Sequence, residues 1–249
     1  MKFNYLVLEI KNVLGNFIGL FFSYIFPIML ANIIIFSRKG EIPAQAVPEF
    51  KTSVFLLLIS VIPISLALVG FPALFSQETD KGVTKRMILF GYTIEKQLIN
   101  KLIANVLVIF SAVGVYFLCV GWVNEINKPS AFSIIFLLFG ILFISIDFFL
   151  ITFTLTLWLR KFSRVYGVTM TLYFLVMILT GMFGVSPDKF GKIIETIANC
   201  IPITLLTKLT TEHWGESFYS LGNYPYVLIG FTAFSIVCYF LGTRSFKKQ

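Results

Sequence analysis

The sequence predicts an all-α fold: a polytopic membrane protein with one transmembrane bundle filling residues 1–249. Three observations predict it. Of the 249 residues, 57% are hydrophobic and only 13% charged, where a soluble domain carries about a quarter charged residues. Six apolar runs recur along the chain, most of them near or above the roughly 20 residues that let a helix cross a bilayer. Between the runs the basic residues are unevenly shared. With both termini put inside, the inner segments hold 13 of the 20 Lys and Arg and the outer segments 7, the bias of the positive-inside rule. That orientation also accounts for the +8 net charge, and no basic, aromatic-laced soluble domain is present to bind nucleic acid.

Met1–Asn16 is read as an interfacial helix. Phe3, Leu6, Val7, Ile10, Val13 and Leu14 repeat at helical spacing, and Asn4, Glu9, Lys11 and Asn12 fall on the other side. An extension of the first span is the competing reading. Phe17–Phe36 is the first span, uncharged and kinked at Pro27; with no small-residue cleavage site behind it, the run reads as a retained anchor rather than a signal peptide. Val54–Phe75 is the second span. Its Pro63 and Pro72 point to a bent helix inside a bundle, where neighbours satisfy the freed carbonyls. Leu102–Val123 is the third, ending at Trp122, and Phe132–Leu159 the fourth, closed by Arg160, Lys161 and Arg164. Val165–Val185 is the fifth. Residues 186–225 form an outer region whose apolar pieces are too short to cross, expected to be re-entrant or surface helices broken at Pro202. Tyr226–Leu241 is the sixth span, followed by Arg244, Lys247 and Lys248.

The interval Gln77–Lys101 is the longest polar, basic stretch between apolar runs. It carries Lys81, Lys85, Arg86, Lys96 and Lys101 against Glu78, Asp80 and Glu95. Met87, Ile88, Leu89 and Phe90 interrupt the polarity, and Gly82 and Gly91 punctuate it. The pattern predicts a short amphipathic element, a glycine turn and a second helix that enters the membrane. Such an element offers a partner both charge and apolar anchors. Met87, Ile88 and Leu89 are the expected anchors; Glu78, Lys85 and Arg86 are the expected rim, with Glu78 facing a partner's basic group.

Several chemistries are absent. No stretch reads GxxxxGK followed by Ser or Thr, so the chain has no P-loop. A single histidine, His213, rules out a paired-histidine zinc site, and no metal site is expected. No serine sits in GxSxG. Cys119, Cys200 and Cys238 have no metal or CxxC spacing; Cys119 and Cys200 both fall toward the outer side, and the sequence leaves open whether they pair. Asp147 is the one acid deep in an apolar run. An ionisable group at that depth should face the bundle or a wet cavity. Two readings stand: a neutral Asp bonded to hydroxyls such as Ser65, Ser111 or Tyr116, or a group lining a substrate path.

The six-span plan with these connections resembles the type-2 ABC exporter permeases along essentially the whole chain. Met1–Asn16 sits where that family has its N-terminal helix. Glu78, Gly82, Lys85-Arg86 and Gly91-Tyr92 follow the order of its cytoplasmic connection between the second and third spans, and Ile201-Pro202-Ile203-Thr204 fits its re-entrant region. Gly82-Val83-Thr84 departs from the usual Gly-Thr-Leu, which bears on the partner contacts rather than the plan. The resemblance implies a transport subunit and not an enzyme. It implies Gln77–Lys101 as the coupling helix, an ABC ATPase subunit that carries ATP and Mg, and a second permease subunit, identical or related. Gly15 with Gly19 and Gly181 with Gly184 are the small residues expected to let two permeases approach. The implied site is the plasma membrane, bacterial in type, with both termini cytoplasmic. The implied cargo is amphiphilic, a peptide, bacteriocin or drug. A non-transport sensor or assembly module, and an ion-coupled transporter using Asp147, are the alternatives.

Overall fold

The computed structural model describes residues 2–38, 40–183 and 187–247. Among the described residues the regular structure is helical, without strands. In chain order the helices are α1 (Lys2–Leu14), α2 (Phe17–Ser37), α3 (Val47–Asp80), α4 (Val83–Leu89), α5 (Ile94–Trp122), α6 (Ala131–Leu159), α7 (Phe162–Leu179), α8 (Lys192–Asn199), α9 (Pro202–Glu212) and α10 (Tyr224–Lys247). Six of them, α2, α3, α5, α6, α7 and α10, are long and apolar enough to cross a membrane.

Helix α1 is separate from the first span. Asn16 breaks the chain with extended backbone and caps α2, its Oδ1 accepting from the Gly19 amide at 3.3 Å. The apolar stripe of Leu6, Ile10 and Val13 packs into the bundle, with α1 lying along α5. Glu9 departs from expectation: it is buried, not on the polar side. Tyr5, Glu9 and Val13 are four residues apart and share one stripe of the helix, so a face that buries Val13 buries Glu9 too.

Helix α3 is the centre of the bundle. Its apolar window is 94% buried, against 22% for α2 and 22% for α10. From Val61 to Ala73 every residue is buried. A helix apolar on all sides can be enclosed on all sides. It outruns the apolar run 54–75 at both ends because the polar residues flanking that run are helical too.

The prolines are absorbed without ending a span. Proline lacks an N–H and its ring clashes with the carbonyl four residues back. Just before Pro27 the helix widens to π geometry over Phe21–Ile25, and just before Pro72 over Leu66–Gly70. The wider turn moves the clashing carbonyl aside. The second π stretch is also where α2 comes closest. Asn16 Nδ2 donates to the Gly70 carbonyl at 2.8 Å, and a Cβ on Gly19 would lie 2.9 Å from the Gly70 Cα. Gly19 therefore serves close approach within the chain, not the contact between permeases expected of it. Gly181, with φ +74°, ends α7, where the Met182 amide reaches back to the Met177 carbonyl. Gly184 and Val185, expected at the end of the fifth span, lie outside the described residues.

Helices α8 and α9 meet at 89° across Cys200 and Ile201, the break expected before Pro202. Ile203, Leu206 and Thr210 of α9 are buried, and Thr207 Oγ1 lies 3.0 Å from Ser60 Oγ of α3. The α5–α6 connection is stitched to this hairpin: the Trp214 indole donates to the Asn127 carbonyl at 2.9 Å, and the Ser130 amide to the Trp214 carbonyl at 3.0 Å. All three cysteines are free thiols.

Candidate functional site

At the opposite end of the bundle, α3 turns into α4 and α5. The α3 terminus closes on Lys81 and on Gly82, whose φ of +70° is a left-handed conformation that glycine adopts without strain. After one short helix the chain turns again at Gly91, φ +80°, with the Tyr92 amide donating to the Met87 carbonyl at 2.9 Å. Thr93 then caps α5. The two glycines thus bracket α4, and buried polar contacts hold it down. Gln97 Nε2 donates to the carbonyls of Thr84, at 3.4 Å, and Tyr92, at 3.0 Å. Ile88 packs on an aromatic cluster of Phe71, Phe75, Phe149 and Phe153, in which Phe71 and Phe149 lie 4.1 Å apart between ring centres. At the last residue of α3, the Asp80 carboxylate accepts from the Phe162 amide at 3.3 Å, an acid at the N-terminus of α7.

Beneath α4 lies a buried charge cluster. Lys101 Nζ of α5 is 3.0 Å from Glu9 Oε2 of α1 and 2.7 Å from Glu78 Oε2 of α3. The side chains of Lys101, Glu9 and Glu78 are 4%, 6% and 22% exposed, so water screens them little. The ammonium also lies 5.6 Å from the Phe75 ring centre. One cation between two carboxylates ties three helices to a single point. Glu78 therefore faces Lys101 of its own chain rather than outward to a partner. The triad has no local signature, because its members are far apart in sequence. A signal did exist on α5: Gln97, Lys101 and Asn105, four residues apart, form a polar stripe, and all three are buried.

What α4 leaves outside is apolar and basic. Leu89 is 85% and Phe90 87% exposed, and Lys85 and Arg86 are exposed on the same short helix. Met87 is half-buried. Of the expected anchors, then, Leu89 faces out, Ile88 turns into the chain's own core, and Phe90, read only as an interruption, joins Leu89. Phe90 also borders a groove of about 400 Å³ with Tyr5, Tyr92, Lys96 and Asn100. The Tyr5 and Tyr92 rings stack at 4.4 Å. Burial raises the Tyr92 hydroxyl above the ordinary tyrosine range.

Asp147 lies elsewhere, fully buried in α6. Its Oδ1 accepts from Ser235 Oγ at 2.8 Å and its Oδ2 from Thr232 Oγ1 at 2.9 Å, both on α10. The hydroxyl partners are real, but Ser65, Ser111 and Tyr116 are not among them: Ser65 and Tyr116 donate to backbone carbonyls, and Ser111 bonds to Tyr24. Thr232 and Ser235, three apart in an otherwise apolar run, mark one polar stripe that the sequence displayed. Asp147 does not line the apolar groove of about 390 Å³ between α6, α7 and α10.

His213 Nδ1 lies 3.0 Å from Glu216 and its ring stacks on Tyr219. Among the described residues no group of three or more His, Cys, Asp or Glu could hold a metal ion. No protein-family model, curated protein or solved structure matches the chain.

Proposed function

We propose that the chain is the membrane subunit of an ATP-driven exporter, with the α3–α4–α5 turn as its coupling element. One observation carries this reading: a short helix presents Leu89 and Phe90 to the outside while its base is fixed to three helices. Two large apolar side chains beside Lys85 and Arg86 have the makeup of an interface core with a charged rim. A helix seated in a partner's groove would use them as anchors. Through Ile88, Gln97 and the Glu9–Lys101–Glu78 triad, displacement of α4 would reach α1, the central α3 and α5 together.

The partner in this reading is an ABC ATPase that carries ATP and Mg, and a second permease subunit completes the path. The substrate class is an amphiphile such as a peptide, bacteriocin or drug. Both termini and α4 lie on the cytoplasmic side of a plasma membrane, and the α8–α9 hairpin faces outward. At that outer end a groove of about 540 Å³, lined by Thr180, Glu195, Thr204 and Lys208, offers an exit lined by polar groups. The ion-coupled alternative rests on Asp147 as the one acid deep in an apolar span.

The test is co-purification of the tagged chain with an ATPase from its native membrane, followed by substrate-stimulated ATP hydrolysis in nanodiscs. Leu89→Asp with Phe90→Asp should abolish both while the permease remains folded, since neither side chain is packed internally. Retention of the ATPase and of stimulated hydrolysis by that double variant would remove α4 as the coupling helix.

A further inference from the structure

At the end of the bundle away from α4, a groove of about 620 Å³ opens between α2, the residues that follow it and the start of α3. Met29, Ile33 and Phe36 of α2 line it. Spaced by four and three residues, they form one stripe about 10 Å long, and all three are exposed on the flank of a span, where the surrounding medium is hydrocarbon. The polar lining lies at the groove's upper end. Asn124 Nδ2 donates to Asn32 Oδ1 at 3.0 Å, and Lys51 Nζ to the Asn124 carbonyl at 3.0 Å. Arg38 is held by Glu41 at 2.9 Å. Lys51 has no carboxylate partner among the described residues and is half-buried. Its ammonium has three donors, and one goes to Asn124.

We infer that this groove binds an anionic phospholipid, with the phosphate on Lys51 and one acyl chain along Met29, Ile33 and Phe36. The polar and apolar parts are set out as a lipid's are, charge at the end of the span and grease along its depth. A partly desolvated ammonium favours a net negative headgroup over a zwitterion, whose own cation would oppose it. A free phosphate would leave the apolar stripe unused. The site requires only that the chain spans a bilayer, not that it transports.

Native mass spectrometry of the full chain in a nonionic detergent tests the site. Phosphatidylglycerol, phosphatidylcholine of the same acyl chains and glycerol phosphate are each titrated. The first phosphatidylglycerol adduct should form at about tenfold lower concentration than that of phosphatidylcholine, the weight of one charge-assisted hydrogen bond. Glycerol phosphate should give no adduct. Lys51→Gln should erase the preference. Ile33→Trp, which fills the stripe and leaves the charge, should weaken both lipids alike. Arg164→Gln, at the other end of the bundle, should change nothing. Equal binding of the two lipids, a preference that survives Lys51→Gln, a preference lost in Arg164→Gln, or glycerol phosphate binding as well as the lipid would each overturn the assignment.

Discussion

Glu9 and Asp147 are both buried carboxylates, yet different groups stabilise them. Glu9 meets an ammonium that it shares with Glu78 at the end of the bundle. Asp147, in the middle of a span, meets two hydroxyls of a single neighbouring helix. Depth separates the two solutions. Desolvating a pair of charges costs several kcal/mol per ion, and the cost grows toward the centre of the membrane. Near the end of the bundle a cation can be accommodated, and it acts on every acid within reach, so three helices are held together. At depth, hydroxyls supply hydrogen bonds without a second charge, and the contact joins only α6 and α10. The charged cluster makes a three-helix junction; the hydroxyl cluster makes a seam.

Breaking the cation should have the largest effect. Lys101→Ala leaves two carboxylates facing one another, and removing one partner of a buried ion pair costs about 3–5 kcal/mol. Thermal unfolding in detergent should show the chain strongly destabilised, with α1 newly open to proteolysis. Adding Glu9→Gln and Glu78→Gln to a Lys101→Met background should recover more than half of the loss, because the site is then neutral. No recovery would mean that packing, not charge, holds the junction.

Removing one acid is milder. Glu9→Ala leaves Lys101 paired with Glu78, and a loss of about 1–2 kcal/mol is expected, the scale of one hydrogen bond to a charged group. A double-mutant cycle of Glu9 and Lys101 should give a coupling of about 0.5–3 kcal/mol; a value near zero would reduce the contact to coincidence.

The seam should respond least. Asp147→Asn keeps an acceptor for one hydroxyl, and the other can rotate, so unfolding should shift by no more than about 1 kcal/mol. Under the proposed exporter function, transport by this variant separates the two readings of Asp147. Near-normal transport fits a seam, whereas complete loss at normal abundance would make Asp147 a working group.

Sequence periodicity carried most of the fold, because a bilayer demands long apolar helices and the breaks between them are chemically marked. The glycines around α4 and the corner at Pro202 were legible for that reason. The site was legible only as a place. Which of Met87, Ile88, Leu89 and Phe90 face outward depends on where the aromatic cluster around Phe75 and Phe153 lies, and those residues come from different spans. Lys101 read as one more charge in a basic stretch until Glu9 and Glu78 arrived beside it from two other helices. Gly19 likewise read as a surface for another chain because its partner, Gly70, is a residue of α3 and not a neighbour in sequence.

The enclosure of α3 has a consequence for how the chain is made. Domains emerge from synthesis N-terminus first, so α3 appears second among the spans, before α5, α6, α7 and α9, with which it packs, exist. Its final neighbours in the bundle are therefore lipids at first, displaced one helix at a time. An α3 with a polar stripe matched to its mature contacts would have nothing to satisfy that stripe during the wait. Its near-uniform apolar surface from Val61 to Ala73 suits both surroundings, the early one of acyl chains and the late one of protein.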